Sequence, residues 1–180
     1  MSSLRGNDLA LAMRLADAAD SITMARYQSI DLVVTTKPDD SPVTDADKAS
    51  EEAIRALLKS HRPDDGIVGE EFGDDAAGAK RYWVIDPIDG TKNFLRGVPT
   101  WATLIGLIEK QSDGSEVVVV GVVSAPALFR RWYASEGNGA FVSLNGGTPK
   151  RISVSQVSEI KDASISYSDF IGWDQRLAPF

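Results

Sequence analysis

The sequence predicts an α+β fold built in layers. Two helix-patterned segments lie early in the chain, at 7–27 and 45–59, and short β-favouring runs separated by turn residues fill most of the remaining length. The later runs meet through polar turns, one holding Asp113-Gly114 and one at Gly137-Asn138-Gly139. That is the pattern of antiparallel pairs and not of a doubly wound nucleotide-binding sheet.

With 180 residues the chain has room for one full domain and a real core. Its net charge of −7 argues against nucleic acid and against an anionic membrane surface, both of which call for a basic footprint. No cysteine is present, which removes disulfides, thiolate zinc sites and cysteine-phosphatase chemistry. The single histidine, His61, stands in a polar H-R-P-D-D segment and reads as a surface helix end. The start lacks the apolar core of a signal peptide and no run reaches transmembrane length, so a cytoplasmic location is expected.

The elements come in order. Asn7 is an N-cap candidate for the first helix, with Asp8 in its first turn. Leu9, Ala12, Met13, Ala16 and Ala19 form one stripe, and Leu11, Leu15, Ala18 and Ile22 a second, which predicts burial on more than one side. Residues 31–38 read as a short strand running into a turn, with Lys37 a solvated loop lysine on its face value. Thr44 and Asp47 read first as a capping pair for the second helix. A strand over 66–68 ends in Gly69-Glu70-Glu71, an acidic doublet that by itself is a charged loop. The run W-A-T-L-I-G-L-I near 100–109 is apolar on both faces and therefore central, and V-V-V-V-G-V-V returns beside it. Strands over 129–135 and 140–144 come next, then a shorter one over 151–154 and the start of another over 163–168. Trp101 and Trp132 read as core packing.

The stretch Y-W-V-I-D-P-I-D-G-T-K-N-F-L, residues 82–95, carries the chemistry. Tyr82 to Ile85 form a buried strand, Asp86 stands at its end, and Pro87 is expected to stop it. Asp89, Gly90 and Thr91 come after. Carboxylates three residues apart, with a tight turn at a strand's mouth, suit a hard cation beside a phosphate. Amides at Gly90 and Thr91 suit the anion. The same letters are also ordinary turn chemistry. What adds weight is Glu70, at the end of one strand, and Asp86, at the end of the next, which a sheet can bring together.

With D-P-I-D-G-T-K-N-F, G-E-E upstream and V-T-D-A-D before that, the sequence resembles the inositol-monophosphatase-like superfamily of magnesium-dependent, lithium-sensitive phosphomonoesterases. The resemblance implies a layered α/β sandwich of the sugar-phosphatase type. It implies Glu70, Asp86 and the carbonyl of Ile88 as ligands of a first metal, Asp86 and Asp89 as ligands of a second, and Glu70 with water for a looser third. The ions would be Mg2+, two or three per site, with Mn2+ an alternative. Gly90 and Thr91 would hold the phosphate, Lys37 and Lys92 would face it, and Asp47 and Thr91, with Glu70, would orient the attacking water. A homodimer is expected on the same ground.

Lys92, R-G-V-P-T-W-A-T-L-I-G-L and P-A-L-F-R-R-W-Y-A resemble bacterial histidinol-phosphate phosphatases more than inositol-type members. The expected reaction is hydrolysis of L-histidinol phosphate, with inositol-1-phosphate or another small sugar phosphate as the alternative substrate. The family's later W-D-x-A-A type segment has no match. Trp173-Asp174 comes too early and precedes Gln-Arg, so Asp174 reads as non-catalytic. The expected organisation is a metal-binding domain over 1–147 and the start of an incomplete, truncated C-terminal α/β domain over 148–180. Two other classes stay open. A dehalogenase-like phosphatase would use Asp86 as a covalent nucleophile but wants D-x-D. A non-catalytic fragment would keep the fold without the chemistry.

Overall fold

In a computed structural model of the chain, which describes residues 2–38 and 40–164, two helices lie against one face of a large mixed sheet. The elements are α1 (Ser2–Arg26), β1 (Val34–Thr36), β2 (Pro42–Thr44), α2 (Asp45–His61), β3 (Gly66–Gly69), β4 (Gly73–Asp74), β5 (Arg81–Asp89), α3 (Thr91–Leu95), β6 (Ala102–Lys110), β7 (Glu116–Ala125), β8 (Arg130–Ser135), β9 (Gly139–Leu144) and β10 (Lys150–Ile152). The sheet runs β10-β9-β8-β7-β6-β5-β3-β4, and β1 and β2 pair separately. The α+β layering is as expected. No helix among the described residues is long and apolar enough to cross a membrane.

Helix α1 begins before Asn7, which is exposed within it and caps nothing. Arg5 explains the extra turn: its guanidinium reaches Glu109 Oε2 at 2.8 Å and Glu136 Oε2 at 2.9 Å, fixing the helix start to the sheet. Asp8 is fully buried and meets Arg62 at 3.0 Å and Arg81 at 2.7 Å. The two expected stripes are one broad face in the structure. Asp8, Leu11, Ala12, Leu15, Ala16, Ala19 and Thr23 are buried, while Arg14, Asp17 and Ser21 are exposed. A wide stripe on a long helix mimics two narrow ones.

Strand β6 lies between β5 and β7, as its apolar character requires. Thr103, Ile105 and Leu107 are buried, with Trp83, Ile85, Val120 and Val122 from the neighbouring strands on the same helix-covered face. Val84 and Val118 turn the other way and are exposed. Arg130 opens β8, because Phe129 takes a left-handed conformation (φ 54°) and leaves the strand.

Three further expectations change. Pro42–Thr44 is a strand, too short and too close to the helix cap to be read as one. Strand β5 continues through Pro87 to Asp89 with a register shift between Asp86 and Asp89. A proline is tolerated at such an irregularity, where a ladder donor is not needed, and its carbonyl accepts Thr103 Oγ1 at 2.8 Å. The strand near 151–154 is Lys150–Ile152, and it pairs with β9 across the division at 147/148, so the sheet itself carries on past that point. The strand expected over 163–168 lies largely outside the described residues, and Trp173-Asp174 wholly so.

Candidate active site

Strands β3 and β5 are parallel, with Gly69 opposite Ile85. Glu70 follows β3 at once and Asp86 lies within β5, one residue past the last pair, so the two acids stand side by side where this pairing ends. The Glu70 amide donates to the Ile85 carbonyl at 3.2 Å, extending the pairing by one step.

Asp86 is the electrostatic centre. Burial, hydrogen bonding of its protonated form to Glu70 and the charges of Glu70, Asp89 and Asp47 together push its carboxyl up to about 8. Its Oδ1 is buried without a hydrogen-bond partner. The same crowding raises Asp47, chiefly through burial, with Thr44 pulling the other way and Glu70 adding to the rise. Glu71, whose side chain is 3% exposed, is raised by burial and by Asp47 and Glu70, against the pull of Lys37.

Lys37 is not a solvated loop lysine. Its Nζ lies 2.7 Å from Glu70 Oε1 and 2.7 Å from Glu71 Oε1. Partial burial works against its charge, but the hydrogen bond to Glu70 and the pairing with Glu71 hold its pKa above the usual lysine value. Among the described residues no three Asp, Glu or His side chains already stand in a metal-holding arrangement. An ammonium group occupies the space between two of the acids instead.

Asp47 serves two neighbours. Its Oδ2 accepts the Thr44 amide at 2.8 Å and Thr44 Oγ1 at 2.5 Å, and Thr44 Oγ1 in turn accepts the amides of Ala46 and Asp47. This is a complete capping box, as the sequence suggested. Oδ1 is left over, 3.5 Å from Thr91 Oγ1, which is long for a hydrogen bond. Thr91 Oγ1 donates to the Ile88 carbonyl at 3.1 Å.

Gly90 precedes α3 with φ at 88°, and a Cβ there would lie 3.1 Å from the Thr100 carbonyl oxygen. Both facts call for glycine. The first amides of a helix have no intrahelical partner, and here they belong to Thr91 and Lys92, beside the acids. Asp89 and Lys92 are exposed. The Ile88 side chain is buried with Ala46, Phe94 and Trp101, and Tyr27 packs against the same group and donates its hydroxyl to the Gly97 carbonyl at 2.6 Å. The short helix α3 is thereby fixed to the end of α1.

The structure thus brings Glu70, Asp86, Asp89 and Asp47 within electrostatic reach of one another, with Thr91 and Lys37 at their edge. Sequence reading dismissed Glu71 as a loop charge and passed over Glu51, fully buried on α2. The available signal for Glu51 was its place on the stripe Asp47, Glu51, Ile54, Leu58, where a charge among core positions marks a buried role. A cavity of about 410 Å³ lies elsewhere, between α1 and β8, where Arg131 is already paired with Asp17 and Asp20.

Comparison with known proteins gives the chain its relatives. A histidinol-phosphatase of Mycobacterium tuberculosis is 55% identical over 167 residues, covering 93% of this chain and 62% of that protein. One from Streptomyces coelicolor is 55% identical over 170 residues, covering 94% and 63%. The chain therefore spans about three-fifths of the length of these curated relatives. Among solved structures, the Thermotoga maritima IMPase superposes with a TM-score of 0.74 at 32% identity, covering 96% of this chain and 65% of that one. The sequence profile of the inositol monophosphatase family matches residues 7–175, nearly all of the sheet, both long helices and every acid described above, and on that match the chain is a member of the family.

Proposed function

We propose that the protein is a metal-dependent phosphomonoesterase acting on L-histidinol phosphate. The observation that carries the reaction class is Asp86, half-buried beside Glu70 with a buried, unpartnered oxygen and a proton affinity raised by three neighbouring acids. Carboxylates gathered this closely repel one another unless a cation or a proton intervenes. The donor set is all oxygen, which suits Mg2+, with Mn2+ as a substitute. Glu70, Asp86, Asp89 and the Ile88 carbonyl would hold two or three such ions. Bound there, they would offset the charge of a phosphate dianion and lower the pKa of water.

The chain's own residues account for the rest. Asp47 Oδ1, the oxygen outside the cap, and Thr91 Oγ1 orient the attacking water. Glu70 shares in that orientation. The amides of Gly90 and Thr91 hold the phosphate, and Lys92 and Lys37 supply positive charge around it. Water oxygen bonds to phosphorus as the ester P–O bond breaks, and the proton goes to the departing alcohol. No phosphoryl-enzyme is formed, in contrast to a dehalogenase-like route through Asp86. The residues to 147 form the metal-binding unit, with β10 added to the edge of its sheet, and the chain after that strand opens a second. Two copies associate, in a cytoplasmic setting.

The substrate reading rests on the 55% identity to two proteins named histidinol-phosphatase. A relative from Aquifex aeolicus, 38% identical over 125 residues, is named fructose-1,6-bisphosphatase/inositol-1-monophosphatase, which keeps inositol-1-phosphate as the second reading. Phosphate release with Mg2+, measured on histidinol phosphate beside inositol-1-phosphate, separates them. Preference for the inositol ester overturns the substrate. A phospho-aspartate trapped at Asp86 overturns the mechanism, and no release from either ester leaves the non-catalytic reading.

A further inference from the structure

We infer that Glu51 is a positioning residue for the Glu70–Glu71 turn, an inference that rests on reading the acidic cluster as a metal centre. Glu51 is 0% exposed on the inner face of α2. Its Oε2 accepts the Glu71 amide at 2.7 Å. Its Oε1 accepts the Phe72 amide at 3.2 Å and Arg55 Nε at 2.8 Å. All three partners are N–H donors, so the site demands two acceptor oxygens. A glutamine would turn its NH2 toward a donor in either orientation. A buried carboxylate is costly, and here Arg55 and the two amides offset that cost, while its removal would leave the amides without an acceptor.

The glycine ahead of Glu70 belongs to the same device. A Cβ on Gly69 would lie 1.9 Å from Glu51 Oε1, so only glycine lets the carboxylate reach the turn. Arg55 completes it by donating to the Gly73 carbonyl at 2.5 Å and pairing with Asp75 at 3.3 Å. Glu51 sits one helical turn after Asp47, on the same face. One rigid helix therefore sets the position of Asp47 directly and of Glu70 through the amide of its neighbour. The acids of the cluster come from two separate segments, and α2 gives both a common reference.

The test uses the 180-residue chain, with hydrogen exchange at the Glu71 and Phe72 amides and calorimetric titration of Mg2+. In metal-free wild type both amides should exchange about a hundredfold more slowly than in an unstructured peptide. Glu51→Gln should lose most of that protection and bind Mg2+ about tenfold more weakly. Leu58→Ala, a core change further along α2, should lower stability and leave Mg2+ affinity as in wild type. The inference fails if the amides exchange freely until Mg2+ is added, or if Glu51→Gln binds Mg2+ normally, or if Leu58→Ala weakens binding equally. Should Glu51→Gln not fold, the wild-type amides decide. A wild type that takes up no Mg2+ while its amides stay protected overturns the metal reading, and with it the positioning role, leaving Glu51 a brace of the fold alone.

Discussion

The amide of Glu70 donates to the carbonyl of Ile85 at 3.2 Å, the last rung between two parallel strands, and this single bond sets Glu70 beside Asp86. Everything proposed for the site grows from that adjacency. Carboxylates set at the same level of a sheet repel one another, and Asp86 shows it in a raised proton affinity.

Asp86→Asn is the direct check. Under the proposed reading it removes a ligand shared between ions, so phosphate release should fall by on the order of a thousandfold or more and Mg2+ uptake should weaken. The metal-free protein should remain folded and be at least as stable near neutral pH, because a half-buried carboxyl crowded by three acids becomes a neutral amide. Thermal unfolding with and without Mg2+ measures both effects. Near-normal turnover would remove Asp86 from the metal site.

Two glycines should respond oppositely to alanine. At Gly69 the added methyl meets Glu51 Oε1 at 1.9 Å, inside a packed, ion-paired environment. Overpacking of that kind should cost on the order of 2 kcal/mol or more. At Gly6, within α1, a Cβ meets nothing within 4 Å. There the gain in helix propensity should stabilise by about 0.5–1 kcal/mol. Denaturant titration of both variants reads the difference, and an unchanged midpoint in Gly69→Ala would contradict the close approach.

The anchor of α1 to the sheet should be acid-labile. The Glu109 carboxyl is held below its ordinary value by its hydrogen bond to Arg5, then by the charges of Arg5 and Arg81, against partial burial. A carboxyl lowered by folding stabilises fully above its unfolded pKa, near 4.5, and that contribution is lost as pH falls through the folded value. Glu109→Gln should therefore be less stable than wild type by roughly 1–2 kcal/mol at pH 7. The gap should close as pH drops below about 4.5. Unfolding midpoints across pH 3–7 would show it. Parallel curves would mean that the pair adds nothing.

How far the sequence could be read depended on the kind of signal. The adjacency of Glu70 and Asp86 was legible because each acid comes directly after a compact apolar run. The capping box was legible because Thr44 and Asp47 are local in sequence. β5 beyond Pro87 was not, since proline breaks a regular ladder but is harmless at a register shift whose position depends on β6. Lys37 was misjudged because its partners lie 33 and 34 residues away, across a hairpin and a helix. Glu51 was hidden for a similar reason. Its buried role depends on the absence of a side chain at Gly69, and nothing local to either residue states that the two must meet.

Asp47 carries a consequence for how related sequences should be judged. One of its oxygens closes the start of α2 and the other looks toward Thr91, so the residue is retained by folding whether or not any ester is cleaved. An aspartate at this position in a cousin therefore certifies a well-begun helix and says little about turnover. Asp86, crowded and with one oxygen unclaimed, is the better witness to a living enzyme.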